Sequence, residues 1–145
     1  MRLTTFSDYA LRTLMYLALH PGRLVTIAEI AAAFGISTNH LMKVVQLLAV
    51  NGVITTLRGK HGGLRLAHPA AQIRLGAIIR RTEPDLAMAP CFEAGGICVI
   101  QPGCRLAGVL DKALAAFMAV LDATTLADLT ADPATLRQLL QVNPG

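Results

Sequence analysis

The sequence predicts a mainly α-helical chain with one small β-hairpin: a helix–turn–helix with a wing, then a cysteine-bearing loop and a long apolar helix. Three observations predict this. Apolar residues recur at helical steps through most of the 145 residues. One β-branched run, Val53 to Leu57, faces a second short run, Leu64 to Ala67, across a glycine-rich segment. The longest charge-free run, Val44 to Leu57, has fourteen residues and is broken by Asn51-Gly52, too short to span a bilayer, so no membrane partner is expected.

The elements follow in chain order. Ser7-Asp8 precedes a stripe of Ala10, Leu11, Leu14, Met15, Ala18 and Leu19, and His20-Pro21-Gly22 ends it. Thr26-Ile-Ala-Glu29 is a capping-box signature that opens a helix ending at Phe34-Gly35. Ser37 can cap the next helix, which turns Leu41, Val44, Val45, Leu47 and Leu48 inward. Two helices joined by Gly35 and Ile36, with Ala31 small enough for close approach, make a helix–turn–helix. The hairpin tip, Arg58-Gly-Lys-His-Gly-Gly63, lacks the spacing of a nucleotide-phosphate loop and precedes no helix, so it reads as a basic wing. After the wing, Ile73 to Arg81 is helical, Thr82-Glu-Pro84 breaks the chain, and the cysteines occupy 91–104. Leu106 to Asp122 is the longest helical pattern, Thr125-Leu-Ala-Asp128 restarts a short capped helix, and 133–145 reads as a tail. The chain thus divides into 1–81, the winged helix–turn–helix; 82–105, the cysteine loop; 106–132, the long and short helices; and 133–145.

Charge separates the two halves. Residues 1–81 carry ten Lys/Arg against two Asp/Glu, whereas 82–145 carry three against seven. A basic winged half and an acidic remainder point to double-stranded DNA as the partner of the first half. On the second helix of the pair, Asn39 and His40 are the expected base readers, Lys43 an expected phosphate contact, and Ser37 and Thr38 stand at its start. In the wing, Arg58, Lys60, His61 and Arg65 can reach phosphates or a minor groove. The apolar stripe of Val109, Leu110, Leu114, Phe117 and Leu121 needs a partner surface, and a second copy of the same helix is the economical one for a reader of two-fold sites. No nucleophile–base pair or phosphate loop supports an enzyme, and the N-terminal stretch lacks a signal-peptide pattern, so a cytoplasmic non-enzyme is expected.

Cys91, Cys98 and Cys104 are the only cysteines and are spaced C-x6-C-x5-C. Without a CxxC pair, and with His61 and His68 the nearest histidines, the pattern does not match a zinc finger. Three thiolates on a glycine-rich loop suit an iron–sulfur cluster; redox or buried thiols and a zinc site are the other readings of the spacing.

The stretches RLTTFSDYALRTLMYLA, FGISTNHLMKVVQLLAVNGVITTLRGKHGGLRLA and CRLAGVLDKALAAFMAVLDATTLADL resemble the winged-helix repressors of the BadM/Rrf type, over nearly the whole chain. Within that family the resemblance is strongest to its nitric-oxide-sensing iron–sulfur branch. It implies a homodimer that represses detoxification genes with its cluster intact and releases operator DNA when nitric oxide nitrosylates the cluster. It also implies a fourth ligand from the other subunit, an Asp at the start of the first helix, for a 4Fe–4S cluster. The matching residue here is Asp8. The iron- and cluster-supply regulators of the family, the IscR and RirA type, are the alternative. In the IscR type a His three residues after the third Cys completes a 2Fe–2S site, and Ala107 stands at that position here.

Overall fold

The computed structural model describes residues 2–142. Seven α-helices and a two-stranded antiparallel sheet run in the order α1 (Thr5–Leu19), α2 (Ile27–Phe34), α3 (Thr38–Val50), β1 (Ile54–Leu57), β2 (Gly63–Leu66), α4 (Leu75–Thr82), α5 (Arg105–Ala123), α6 (Leu126–Leu129) and α7 (Pro133–Val142). The core forms where α1 crosses α3. Ala10, Leu14 and Leu17 of α1 meet Ile30 of α2, Leu41, Val44, Val45 and Leu48 of α3, Ile54 and Leu64 of the sheet, and Ile78 and Leu126 beyond it. Those side chains are buried, and at ~1.5–3 kcal/mol for each large one removed from water they dominate the stability of this half.

Local chemistry sets the helix–turn–helix. The Thr26 hydroxyl accepts the Glu29 N–H, and the Glu29 carboxylate accepts the Thr26 N–H at 2.7 Å, closing a capping box. Burial pushes the Glu29 carboxyl up, but the Thr26 N–H and the Arg23 guanidinium outweigh it and hold the group below its ordinary value. Gly35 ends α2 at φ 63°, in the left-handed region where a Cβ is strained. Two residues on, the Ser37 side chain accepts the His40 N–H and starts α3. The sheet pairs Ile54 with Leu66 and Leu57 with Gly63, and Val25 bridges to Leu64 so that the α1–α2 turn leans on the wing.

Three sequence expectations are corrected. The first helix does not wait for Ser7: Thr4 is its N-cap, and Ser7 lies inside it, fully buried, donating to the Thr82 hydroxyl at 2.7 Å. The fourth helix starts at Leu75 rather than Ile73, because residues 73–75 bond the chain leaving α5: Leu126 N–H reaches the Ile73 carbonyl at 2.9 Å and Leu75 N–H the Thr124 carbonyl at 3.0 Å. The tail expected over 133–145 is helical across Pro133–Val142, and residues 143–145 lie outside the described residues. Arg137 anchors that helix by donating to the Leu19 carbonyl at the end of α1 at 2.6 and 2.9 Å. There it satisfies a carbonyl left without a helical partner.

α5 departs most from a self-contained fold. Of its nineteen residues only Met118 is buried. An arc of half-buried side chains, Leu110, Leu114, Phe117 and Leu121, adjoins it on one side. Beyond that arc Leu106, Val109, Ala113, Ala116, Val120 and Ala123 are exposed, and their alternating three- and four-residue steps form one stripe. Arg80 of α4 clamps the far end of α5, donating to both oxygens of Asp122, the longer bond at 2.7 Å. That guanidinium holds the Asp122 carboxyl below its usual value.

Candidate functional site

Two surfaces emerge. The first is the outer side of the helix–turn–helix and its wing. α3 turns Leu41, Val44, Val45 and Leu48 into the core, so Ser37, Thr38, Asn39, His40 and Lys43 are exposed, as the sequence predicts. Ser37 is taken up by capping. His40 lies at the flank, its ring centroid 6.2 Å from that of Tyr9 on α1. Over residues 38–46 the exposed face also holds Met42 and Gln46, which sequence reasoning missed. Subtracting the buried stripe from a 3.6-residue helix would have found both. At the wing tip Arg58, Lys60, His61 and Arg65 are all exposed, and Arg65 donates to the Thr55 hydroxyl across the strands at 3.3 Å. The face therefore combines a helix with free polar side chains and a basic tip, without a buried ionisable group.

The second surface lies at the foot of α5. After Glu83 the chain winds through successive tight turns: Pro90–Phe92 carries Cys91, Gln101–Gly103 follows Cys98, and Cys104 is the residue from which α5 starts. The Gly96 N–H reaches the Glu93 carbonyl at 2.9 Å, and any Cβ on Gly96 would run into the Pro90 carbonyl oxygen. The loop can wind this tightly only with glycine there. All three cysteines are free and half-buried, and they line one cavity of about 230 Å³ with Phe92, Gln101 and Ala107. Among the described residues no three His, Cys, Asp or Glu side chains are gathered tightly enough for a single metal ion. Three thiols around a shared cavity instead suit the larger body and soft iron of an iron–sulfur cluster. Ala107 presents only a methyl group to this cavity.

Asp8 does not line the cavity. It stands in the first turn of α1 and accepts from Arg12 Nε at 2.9 Å, both side chains nearly half exposed. The Arg12 guanidinium lies 5.7 Å from the ring centre of Phe34, the last residue of α2. Glu83, where the cysteine segment begins, reaches back to the start of α1: its carboxylate accepts the Thr4 N–H at 2.8 Å and the Thr4 hydroxyl at 3.0 Å. One end of the loop and the helix that carries Asp8 are thus joined within a single chain.

A winged helix–turn–helix followed by a three-cysteine loop and a long helix with an open apolar face defines a class of transcription regulator, and the comparisons agree. The chain belongs to the Rrf2 family, described as an iron-dependent transcriptional regulator, which matches residues 3–132. Its relatives include the HTH-type transcriptional regulator NsrR of Geobacillus kaustophilus, 50% identical over 147 residues with all of both chains covered. NsrR of Bacillus subtilis is 44% identical, covering 98% of this chain and 99% of that protein. Among solved structures, T. potens IscR superposes with a TM-score of 0.72 at 28% identity, covering 93% of this chain and 90% of that one. CymR, the global cysteine regulator of B. subtilis, gives 0.73 at 25% identity over 90% of this chain and 97% of its own. This protein is therefore a transcription regulator rather than an enzyme, and among its described residues no helix is long and apolar enough to cross a membrane.

Proposed function

We propose that the chain is a cytoplasmic, homodimeric repressor that senses nitric oxide. In this reading Cys91, Cys98 and Cys104 hold an iron–sulfur cluster, of the 4Fe–4S type, with Asp8 of the partner subunit as fourth ligand. The observation that carries the reading is the cavity that three thiols line with Phe92, Gln101 and Ala107 and with no His, Asp or Glu, which leaves a fourth ligand to come from outside it. The identity to NsrR proteins over the full chain supports the same reading. Held by these residues, the cluster would supply reactivity toward nitric oxide, and its nitrosylation would release operator DNA and derepress detoxification genes.

The chain's own residues do the coupling. Asp8 either binds iron in the partner's loop or returns to Arg12, and Arg12 rests on Phe34 at the end of α2. A change at Asp8 therefore reaches the helix–turn–helix through one side chain. Coupling of ~1–3 kcal/mol shifts operator occupancy roughly 5–150-fold. α5 supplies the dimer, so that two copies of α3 face successive major grooves of a palindromic operator. Asn39 and His40 read base edges, while Lys43, Arg58, Lys60, His61 and Arg65 meet the backbone or minor groove. Lys60→Ala is accordingly expected to weaken binding to every duplex alike and to lower the slope of log affinity against log salt by about 1. Titrations across salt concentrations check this, and a changed sequence preference in that variant would contradict the role.

The iron- and cluster-supply reading draws on the family description and on the likeness to IscR. Ala107 weighs against its 2Fe–2S form, since a methyl group faces the cavity where that type places an imidazole ligand. A mixed dimer tests the proposal, one chain carrying Asp8→Ala and the other Cys98→Ala. With ligation across subunits, one site loses both its Asp8 and its Cys98 while the other is complete, so one native-like cluster forms per dimer. With ligation inside a subunit each site lacks a ligand, and an anaerobic absorption spectrum showing no native-like cluster would overturn the reading.

A further inference from the structure

The outward face of α3 carries two apolar residues that no packing explains, Met42 and, at the helix's last position, Val50. Leu41, Val44, Val45 and Leu48 fill the inner side of the helix and are at most 7% exposed. Opposite them, Asn39, Met42, Lys43 and Gln46 are all exposed, and at steps of three, four and seven residues from Asn39 they share one face. Met42 is 57% exposed, between the Asn39 turn and the Gln46 turn. We propose that Met42 and Gln46 are specificity residues, Met42 reading the C5-methyl of a thymine and Gln46 an adenine in each half-site. The proposal rests on the reading of α3 as the recognition helix.

The chemistry selects these bases. The floor of the major groove offers one apolar feature, the thymine methyl, and a thioether side chain has no useful hydrogen bond to give the rest. Met is unbranched and flexible, so it can follow a methyl group without demanding one backbone placement. Gln46 carries the donor and acceptor that match adenine N7 and N6 in a bidentate pair. Four helical residues rise ~6 Å, so the two side chains contact bases about two steps apart at ~3.4 Å per step. Lys43 on the same face, and the basic wing, hold the helix against the backbone while these two discriminate.

The test uses the full-length, cluster-loaded protein, purified without oxygen, and a randomised duplex library. Met42→Ala and Gln46→Ala are compared with the parent and with Asn39→Ala. Because both side chains are exposed, thermal melts are expected to match the parent. Expected is a selected half-site with a thymine that Met42→Ala no longer demands and an adenine that Gln46→Ala no longer demands. Replacing that thymine by deoxyuridine then removes only the methyl group. It should cost the parent about fourfold in affinity per half-site, the worth of one buried carbon, and cost Met42→Ala nothing. Equal effects of deoxyuridine on both proteins, or selected sites unchanged by Met42→Ala and Gln46→Ala, overturn the proposal. If Asn39→Ala still alters the selected site, the assignment of α3 survives that result; if none of the three variants alters it, that assignment falls too.

Discussion

Replacing any one of Cys91, Cys98 or Cys104 with Ala is expected to abolish the cluster and tight operator binding together, while leaving the chain folded. The three thiols share one cavity, and none belongs to the buried core. Loss of one half-buried thiol should therefore change the stability of the cluster-free chain by no more than ~0.5 kcal/mol, the range of surface substitutions. Losing a soft iron ligand is a different matter: two thiolates and one carboxylate would be left to hold a cluster that the proposed site holds with three thiolates and one carboxylate. Operator affinity should fall roughly 5–150-fold, the span of one allosteric coupling. Iron and sulfide analysis, an anaerobic absorption spectrum and a thermal melt on the same preparation separate the two outcomes. A variant that kept a native-like cluster would remove its cysteine from the ligand set.

Val109→Asp is expected to produce monomers and to lose specific binding to a two-fold site. Val109 is 61% exposed on the stripe that runs from Leu106 to Ala123, where a second copy of α5 would cover it. A carboxylate there is buried without a partner on assembly, at ~3–5 kcal/mol for an uncompensated buried charge, and two-fold symmetry imposes it twice. Sedimentation reads the result directly, and an intact dimer in this variant would reject α5 as the interface. The choice of Val109 matters. Leu114 and Phe117 are half-buried within one chain, lining a cavity with Thr4, Glu83 and Leu86. A charge at Leu114 would disturb the fold and the dimer at once, whereas one at Val109 tests association alone.

The helix–turn–helix was legible in the sequence because each of its signals is local. The Thr26–Glu29 box, the Gly35 turn and the Ser37 cap are complete within a few residues, and the structure forms all three. The first helix began earlier than expected: Thr4 caps it by accepting the Ser7 N–H, and Thr4 is itself held from afar by Glu83, seventy-nine residues on. The seventh helix escaped notice although Asp132, just before Pro133, accepts the Thr135 N–H at its start; its tertiary anchor joins Arg137 to the Leu19 carbonyl, 118 residues back. Periodicity marked α5 as apolar but not which part of its arc stays open. Leu110, Leu114, Phe117 and Leu121 turned out to be partly claimed by their own chain, and Ala113, Ala116 and Val120 form much of the free stripe. For the cysteines, spacing gave soft ligands without a partner; only the fold shows that the three face a common cavity and that Asp8 does not line it.

The cysteine segment is fastened at both ends by contacts that involve no sulfur: Glu83 is bonded to Thr4 at one end, and Cys104 runs straight into α5 at the other. A sensor whose reactive group is consumed by its signal usually faces a choice between refolding and replacement. If the proposed reading holds, these anchors would keep the segment in place once a cluster is lost, so that a spent molecule could be recharged. The duration of a response would then depend on how fast new clusters are delivered to existing protein rather than on translation, and one molecule could report successive exposures.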